Sequence, residues 1–81
     1  MITNQLILLN YDMKDNDISV AYIKNNYLLE DYRSNNKYKG LNFLNDLIIK
    51  HNIHNDVDIY FNEKRYYKVY DFLHNYMLMN K

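Results

Sequence analysis

The stretch Gln5-Leu6-Ile7-Leu8-Leu9-Asn10-Tyr11-Asp12-Met13-Lys14-Asp15-Asn16-Asp17-Ile18-Ser19-Val20-Ala21-Tyr22-Ile23 decides the fold class. Gln5 to Tyr11 is a short apolar run bounded by Asn4 and by the polar cluster 12–17, which predicts a strand followed by a turn. Ile18 to Ile23 alternates: Ile18, Val20 and Tyr22 share one face, and Ser19, Ala21 and Ile23 the other. That two-residue period with β-branched content predicts a second strand. The pair forms an antiparallel hairpin with a loop of about five residues.

Outward from the hairpin, Asn25-Asn26 punctuates the chain, and Tyr27 to Tyr32 fits either a third strand or a loop. Ser34-Asn35-Asn36 supplies N-caps whose side-chain oxygens can accept the free amides of a first helical turn. Leu41, Leu44, Leu47 and Ile48, with Phe43 beside them, then recur at helical spacing and predict a helix from about Lys37 to Lys50. His51-Asn52 ends it. Val57 to Phe61 reads as a buried strand reached through Asn55-Asp56. Asn62 reads as an N-cap, with Glu63 placed favourably in the first turn by the helix dipole. Tyr66, Val69, Tyr70, Leu73, Tyr76 and Met77 form an apolar stripe, so a final helix is expected to run to about Met79. The expected architecture is one α+β domain over residues 1–81, in the order β-β-(β)-α-β-α. Its sheet is mostly antiparallel, with two helices packed on it.

Eighty-one residues lie near the size at which a core alone is barely sufficient. Without cysteine, disulfides and thiolate zinc sites are excluded. Extra stability must come from a partner subunit or from an aromatic core drawn on the 10 tyrosines and 3 phenylalanines. The longest apolar runs, Leu6 to Leu9 and Leu47 to Ile49, fall far short of the roughly 18 residues a membrane helix needs. Met-Ile-Thr-Asn-Gln carries no basic region, so no signal peptide is read and a cytoplasmic location is expected. Ten basic and ten acidic residues cancel, and residues 1–40 and 41–81 each hold five of either sign. Direct nucleic-acid binding is therefore not favoured, and neither is an acidic nucleic-acid mimic. Heavy use of asparagine, isoleucine, lysine and tyrosine, with one glycine and no proline, points to A/T-rich codons. A low-GC bacterium, a phage or a mobile element is the source this suggests.

Few groups suggest catalysis. Asp12, Asp15 and Asp17 lack the central glycine and terminal glutamate of a calcium loop, so they read as a solvated turn. His51, His54, Asp56 and Asp58 are metal-ligand types, but a helix end followed by a two-residue period does not make them converge, and no metal or other cofactor is expected. Ser19, Ser34 and Thr3 stand outside any nucleophile elbow, and one glycine cannot build a Walker loop.

Two basic clusters stand out, Arg33, Lys37 and Lys39 before and at the first helix, and Lys64, Arg65 and Lys68 at the expected start of the last. Tyr27, Tyr32 and Tyr38 lie near the first cluster. Tyr66, Tyr70 and Tyr76 fit the buried stripe, which leaves Tyr67 off it. Tyrosine beside arginine and lysine is the composition of interface hot spots, because tyrosine buries much area with little entropy loss and keeps a polar tip. The candidate partner-binding set is Tyr27, Tyr32, Arg33, Lys37, Tyr38, Lys39, Arg65 and Tyr67. The alternatives are a solvated basic rim and tyrosines that only build the core.

Ile18 to Ile23, Tyr32-Arg33, Lys39-Gly40-Leu41 with its helix, Val57 to Phe61, and Asn62…Tyr67…Tyr70-Asp71-Phe72-Leu73 resemble the later half of a GNAT acetyltransferase over about residues 18–75. The resemblance implies an acetyl-CoA pyrophosphate held at a helix start. Gly40 stands alone where that loop has two small residues, and Lys37-Tyr38-Lys39 replaces much of the motif, which implies a degenerate cofactor site. In profile the chain also resembles small phage-encoded inhibitors of host defence, including anti-CRISPR proteins. The function expected is a non-enzymatic protein-binding domain that occupies a surface of a host protein or ribonucleoprotein, such as a defence nuclease. The alternatives are a minimal acetyltransferase, or a homodimerising module built on the Tyr/Met face of the last helix.

Overall fold

The computed structural model describes residues 4–54, 57–63 and 65–78, the last three as backbone. Along the chain stand β1 (Gln5–Asp12), β2 (Asp17–Lys24), β3 (Tyr27–Ser34), α1 (Lys37–His51), β4 (Asp58–Phe61), β5 (Arg65–Lys68) and α2 (Val69–Phe72), which continues as a π-helical segment, Leu73–Leu78. The five strands form one sheet in the order β3-β2-β1-β4-β5. β1–β2, β2–β3 and β4–β5 pair antiparallel, and β4 returns beside β1 in parallel. The α+β class and the mostly antiparallel sheet expected from sequence are the ones observed.

The β1–β2 hairpin spans residues 13–16, one residue tighter than expected, with Asn16 in the left-handed region at φ 57°. Asn25 and Asn26 do the same at the next turn, at φ 53° and 68°, and settle Tyr27 onward as a third strand rather than a loop. Asparagine tolerates this backbone better than other side-chain-bearing residues, so the chain turns here without glycine. α1 starts where Asn36 caps it, the Asn36 Oδ1 accepting the amides of Tyr38 at 2.9 Å and Lys39 at 3.3 Å. It ends at Asn52, again left-handed, whose amide donates to the Ile49 carbonyl.

Both helices lie on one face of the sheet. Leu41, Leu44, Leu47 and Ile48 of α1 join Ile7, Leu9, Ile18, Val20, Tyr22 and Ile59 in a single buried cluster. α1 packs on β2 and β3, while α2 packs on β4 and β5. Phe72 of α2 sets its ring against Phe61 and Tyr67, with centroids 5.6 Å and 6.1 Å apart. Among the described residues no helix is long and apolar enough to cross a membrane.

The last third differs from expectation. Asn62 is not a helix cap: Asn62 and Glu63 both take positive φ, 53° and 63°, and turn the chain into strand β5. The Asn62 amide donates to the Leu9 carbonyl, and its Oδ1 accepts from the Tyr11 amide at 2.7 Å, which ties the turn to β1. The order is therefore β-β-β-α-β-β-α, and α2 starts only at Val69. Tyr66 and Tyr70, expected in a buried stripe, are 62% and 46% exposed, whereas Tyr67 faces the core. Tyr66 and Val69 are three apart, a spacing that suits one helical face, but the Tyr-Tyr pair is better satisfied in an extended edge strand. The side chains of Tyr76 and Met77, and all of Asn55, Asp56, Lys64 and Met79, lie outside the described residues.

Candidate functional site

Because α1 rests over β2–β3 and α2 over β4–β5, the end of the central strand β1 is left between them. There Leu9, Tyr11, Met13, Ile18, Lys37, Leu41 and Phe61 line an apolar cleft of about 320 Å³. Its floor is sheet and its wall is the first turns of α1. Gly40 sets how closely that wall approaches: a Cβ there would overlap the Ile18 side chain, with Cδ1 only 2.7 Å away. Met13 is 82% exposed, an apolar side chain inside an otherwise polar turn.

The charge at the cleft is positive. The Lys37 ammonium lies 5.7 Å from the centroid of the Tyr11 ring and 5.2 Å from that of Tyr38. Ring faces at that distance hold a cation electrostatically without neutralising it. Tyr38 is 58% exposed, and the Tyr11 hydroxyl donates to Asn16 Oδ1 at 3.2 Å. A second, polar hollow of about 330 Å³ flanks the same end of the sheet and shares Tyr11 and Ile18 with the cleft. In it Arg33 Nη2 lies 3.7 Å from Asp17 Oδ2.

The residues singled out from sequence distribute unevenly about this site. Lys37 lines the cleft, with Tyr38 and Lys39 next to it on the first turn of α1. Arg33 lines the polar hollow on the other face of the sheet. Arg65 is the register partner of Phe61, a wall of the cleft. Tyr32 points inward and stacks on Phe43, with centroids 4.7 Å apart and planes 12° apart, and Tyr67 packs on Phe72. Tyr27 stands at the far end of the eight-residue β3, roughly 20 Å of strand from the α1 start. Tyr11, Met13, Leu41 and Phe61 were not singled out from sequence. Met13 alone carried a signal, an exposed hydrophobe set among Asp12, Lys14 and Asp15.

An acetyl-CoA pyrophosphate at this helix start, as the sequence resemblance implies, would compete with the Asn36 side chain for the Tyr38 and Lys39 amides. Gly40, for its part, faces Ile18. His51 Nε2 is engaged 2.9 Å from Glu30 Oε2, and its ring lies against Tyr22. Among the described residues no three of His, Asp or Glu gather as a metal site. No family model, curated protein or solved structure matches this chain.

Proposed function

We propose that this domain is a protein-binding module without catalytic activity of its own, acting by occupying a surface of its partner. The observation that carries this reading is the apolar cleft with Lys37 at its edge and Met13 and Tyr38 exposed beside it. Clefts of this kind take an aromatic or aliphatic anchor, and the adjoining cation selects an acidic neighbour. The partner surface therefore presents a large apolar side chain next to Asp or Glu. Within this class, the residue usage typical of A/T-rich codons favours an inhibitor of a host-defence nuclease or ribonucleoprotein, met in the cytoplasm.

The test is the doubly substituted chain Met13→Glu/Lys37→Glu. Both side chains sit at the open edge of the cleft, so the fold is expected to persist by circular dichroism. From lysate of a low-GC bacterium, the wild-type chain is expected to retain a species that the variant loses. That species should also show inhibited nuclease activity when the wild-type chain is added. Equal retention by both chains overturns the cleft assignment, and a retained species without nuclease activity overturns the narrower reading.

A further inference from the structure

The two edges of the sheet are built differently. β5 is an edge of four residues that carries Arg65 and Lys68, the short and basic form that discourages a further strand. β3 is an edge of eight residues, Tyr27–Ser34, with no proline, glycine or lysine in it. Alternate amides and carbonyls along β3 point away from β2, and among the described residues no strand pairs with them. Leu29 is the extra residue of a bulge, since Tyr22 faces Glu30 and Ile23 faces Leu28. Beyond it Glu30 to Ser34 keep a regular register. Glu30, Tyr32 and Ser34 lie opposite the core residues Tyr22, Val20 and Ile18 on the helix side, and Asp31 and Arg33 lie on the open side.

We propose that β3 pairs antiparallel with β3 of a second copy of the chain, about a two-fold axis normal to the sheet, with Tyr32 facing Tyr32 of that copy. Charge selects this register, since an isologous contact must be complementary to itself. Centred on Glu30, Asp31 or Arg33, self-pairing sets like charges face to face. Centred on Tyr32, it sets Asp31 opposite Arg33 of the second copy, and does so twice. Asp31 is exposed, and Arg33, though 3.7 Å from Asp17, keeps 76% of its side chain exposed. The helix supports the same axis independently. α1 packs on both β2 and β3, so the axis sets the two copies of α1 antiparallel and side by side at roughly 10 Å, close to the ~8–10 Å of packed helices. Phe43 stacks on Tyr32 and therefore stands near the axis. Lys39 and Asp46 are exposed and fall on the same flank, four residues before and three after Phe43. Each then approaches the opposite charge on the second copy. Pairing also provides the extra burial that an 81-residue chain without cysteine otherwise lacks. No residue of β3 lines the Lys37 cleft, so this inference and the partner-binding reading stand or fall separately.

Light scattering on the purified full chain tests it, with far-UV circular dichroism alongside. The wild-type chain is expected at twice its 10.0 kDa mass at about 100 µM, with a melting temperature that rises with concentration. Asp31→Arg and Arg33→Asp each turn two attractive pairs per dimer into repulsive ones, and each is expected to weaken dimerisation roughly tenfold or more. The double swap Asp31→Arg/Arg33→Asp restores opposite signs across the axis and is expected to recover most of that loss. Asp31 takes no part in the contact with Asp17, so Asp31→Arg keeps the test sharp if Arg33→Asp disturbs the hairpin. Met13→Glu/Lys37→Glu is expected to leave the mass unchanged. A monomer at about 100 µM overturns the proposal and leaves the β3 edge to a different protein or to solvent. A dimer that both single reversals leave intact also overturns it, since pairing then uses another surface. So does a double swap that dimerises no better than the single variants, since the Tyr32-centred register is then not the one that pairs.

Discussion

The two faces of the same five strands make an instructive contrast. On one, Ile7, Leu9, Ile18, Val20, Tyr22 and Ile59 are all at most 1% exposed beneath the helices. On the other, Leu6, Leu8, Ile23 and Leu28 sit in neighbouring register positions without a helix over them. Alternate residues of the same strands thus contribute very differently to the stability of a single chain. Burial, not residue type, sets that contribution, because the hydrophobic term scales with apolar area removed from water. A leucine on the open face has a large effect only when something covers it.

The sharpest way to break this contrast is to truncate a leucine on each side of it. Leu44→Ala, at a site with no exposure, is expected to cost about 2–5 kcal/mol in urea unfolding. Leu28→Ala is expected to cost less than about 0.5 kcal/mol. Equal costs would mean that the open face is part of the single-chain core.

Next in size is Gly40→Ala. Helix propensity alone would favour alanine by about 1 kcal/mol. Overlap with Ile18, itself 1% exposed, is expected to reverse that and leave the variant about 1–3 kcal/mol less stable. Combined with Ile18→Ala, the added Cβ should cost little, and the non-additivity in a double-mutant cycle measures the contact. A Gly40→Ala chain more stable than wild type would show that α1 does not approach the sheet this closely.

The smallest effect concerns Glu30, on the helix-facing side of the edge strand β3. Its Oε2 accepts from Lys50 Nζ at 2.7 Å and lies 2.9 Å from His51 Nε2, tying β3 to the end of α1. Hydrogen bonds from Lys50 and then His51 hold its carboxyl below the ordinary glutamate range. A group depressed in the folded state adds stability that is complete above its unfolded value, about 4.3, and is lost as pH falls through the lower folded value. Melting temperatures of wild type and Glu30→Gln are expected to differ most near neutrality and to converge on acidification. A difference that grows toward low pH would contradict the sign of this coupling.

Much of the helix-facing half was legible in the sequence because its signals are local. Ile18, Val20 and Tyr22 alternate, Leu41, Leu44, Leu47 and Ile48 follow helical spacing, and Asn36 can reach only the amides just beyond it. The second hairpin was not legible. Asn62-Glu63 suits a helix cap as well as a left-handed turn, and the choice depends on the 2.7 Å bond from the Tyr11 amide, 51 residues away. The site was half legible: Lys37, Tyr38 and Lys39 stood out as cation and ring, but the leucine, isoleucine and phenylalanine walls of the cleft look like ordinary core in a sequence.

By itself, then, the sequence determined a small cysteine-free α+β domain, its first hairpin, its capped central helix, and a basic, tyrosine-bearing stretch at that helix start. Those follow from periodicity and from side chains that act within a few residues of themselves. Only the tertiary structure decided that β4 returns in parallel beside β1, that both helices settle on one face, and that Gly40 lets α1 approach Ile18. Such choices are made by contacts between residues distant in the chain. They leave a cleft beside Lys37 on one face and an uncovered surface on the other, apolar around Leu6, Leu8 and Ile23 and polar around Asn10, Asp17 and Ser19.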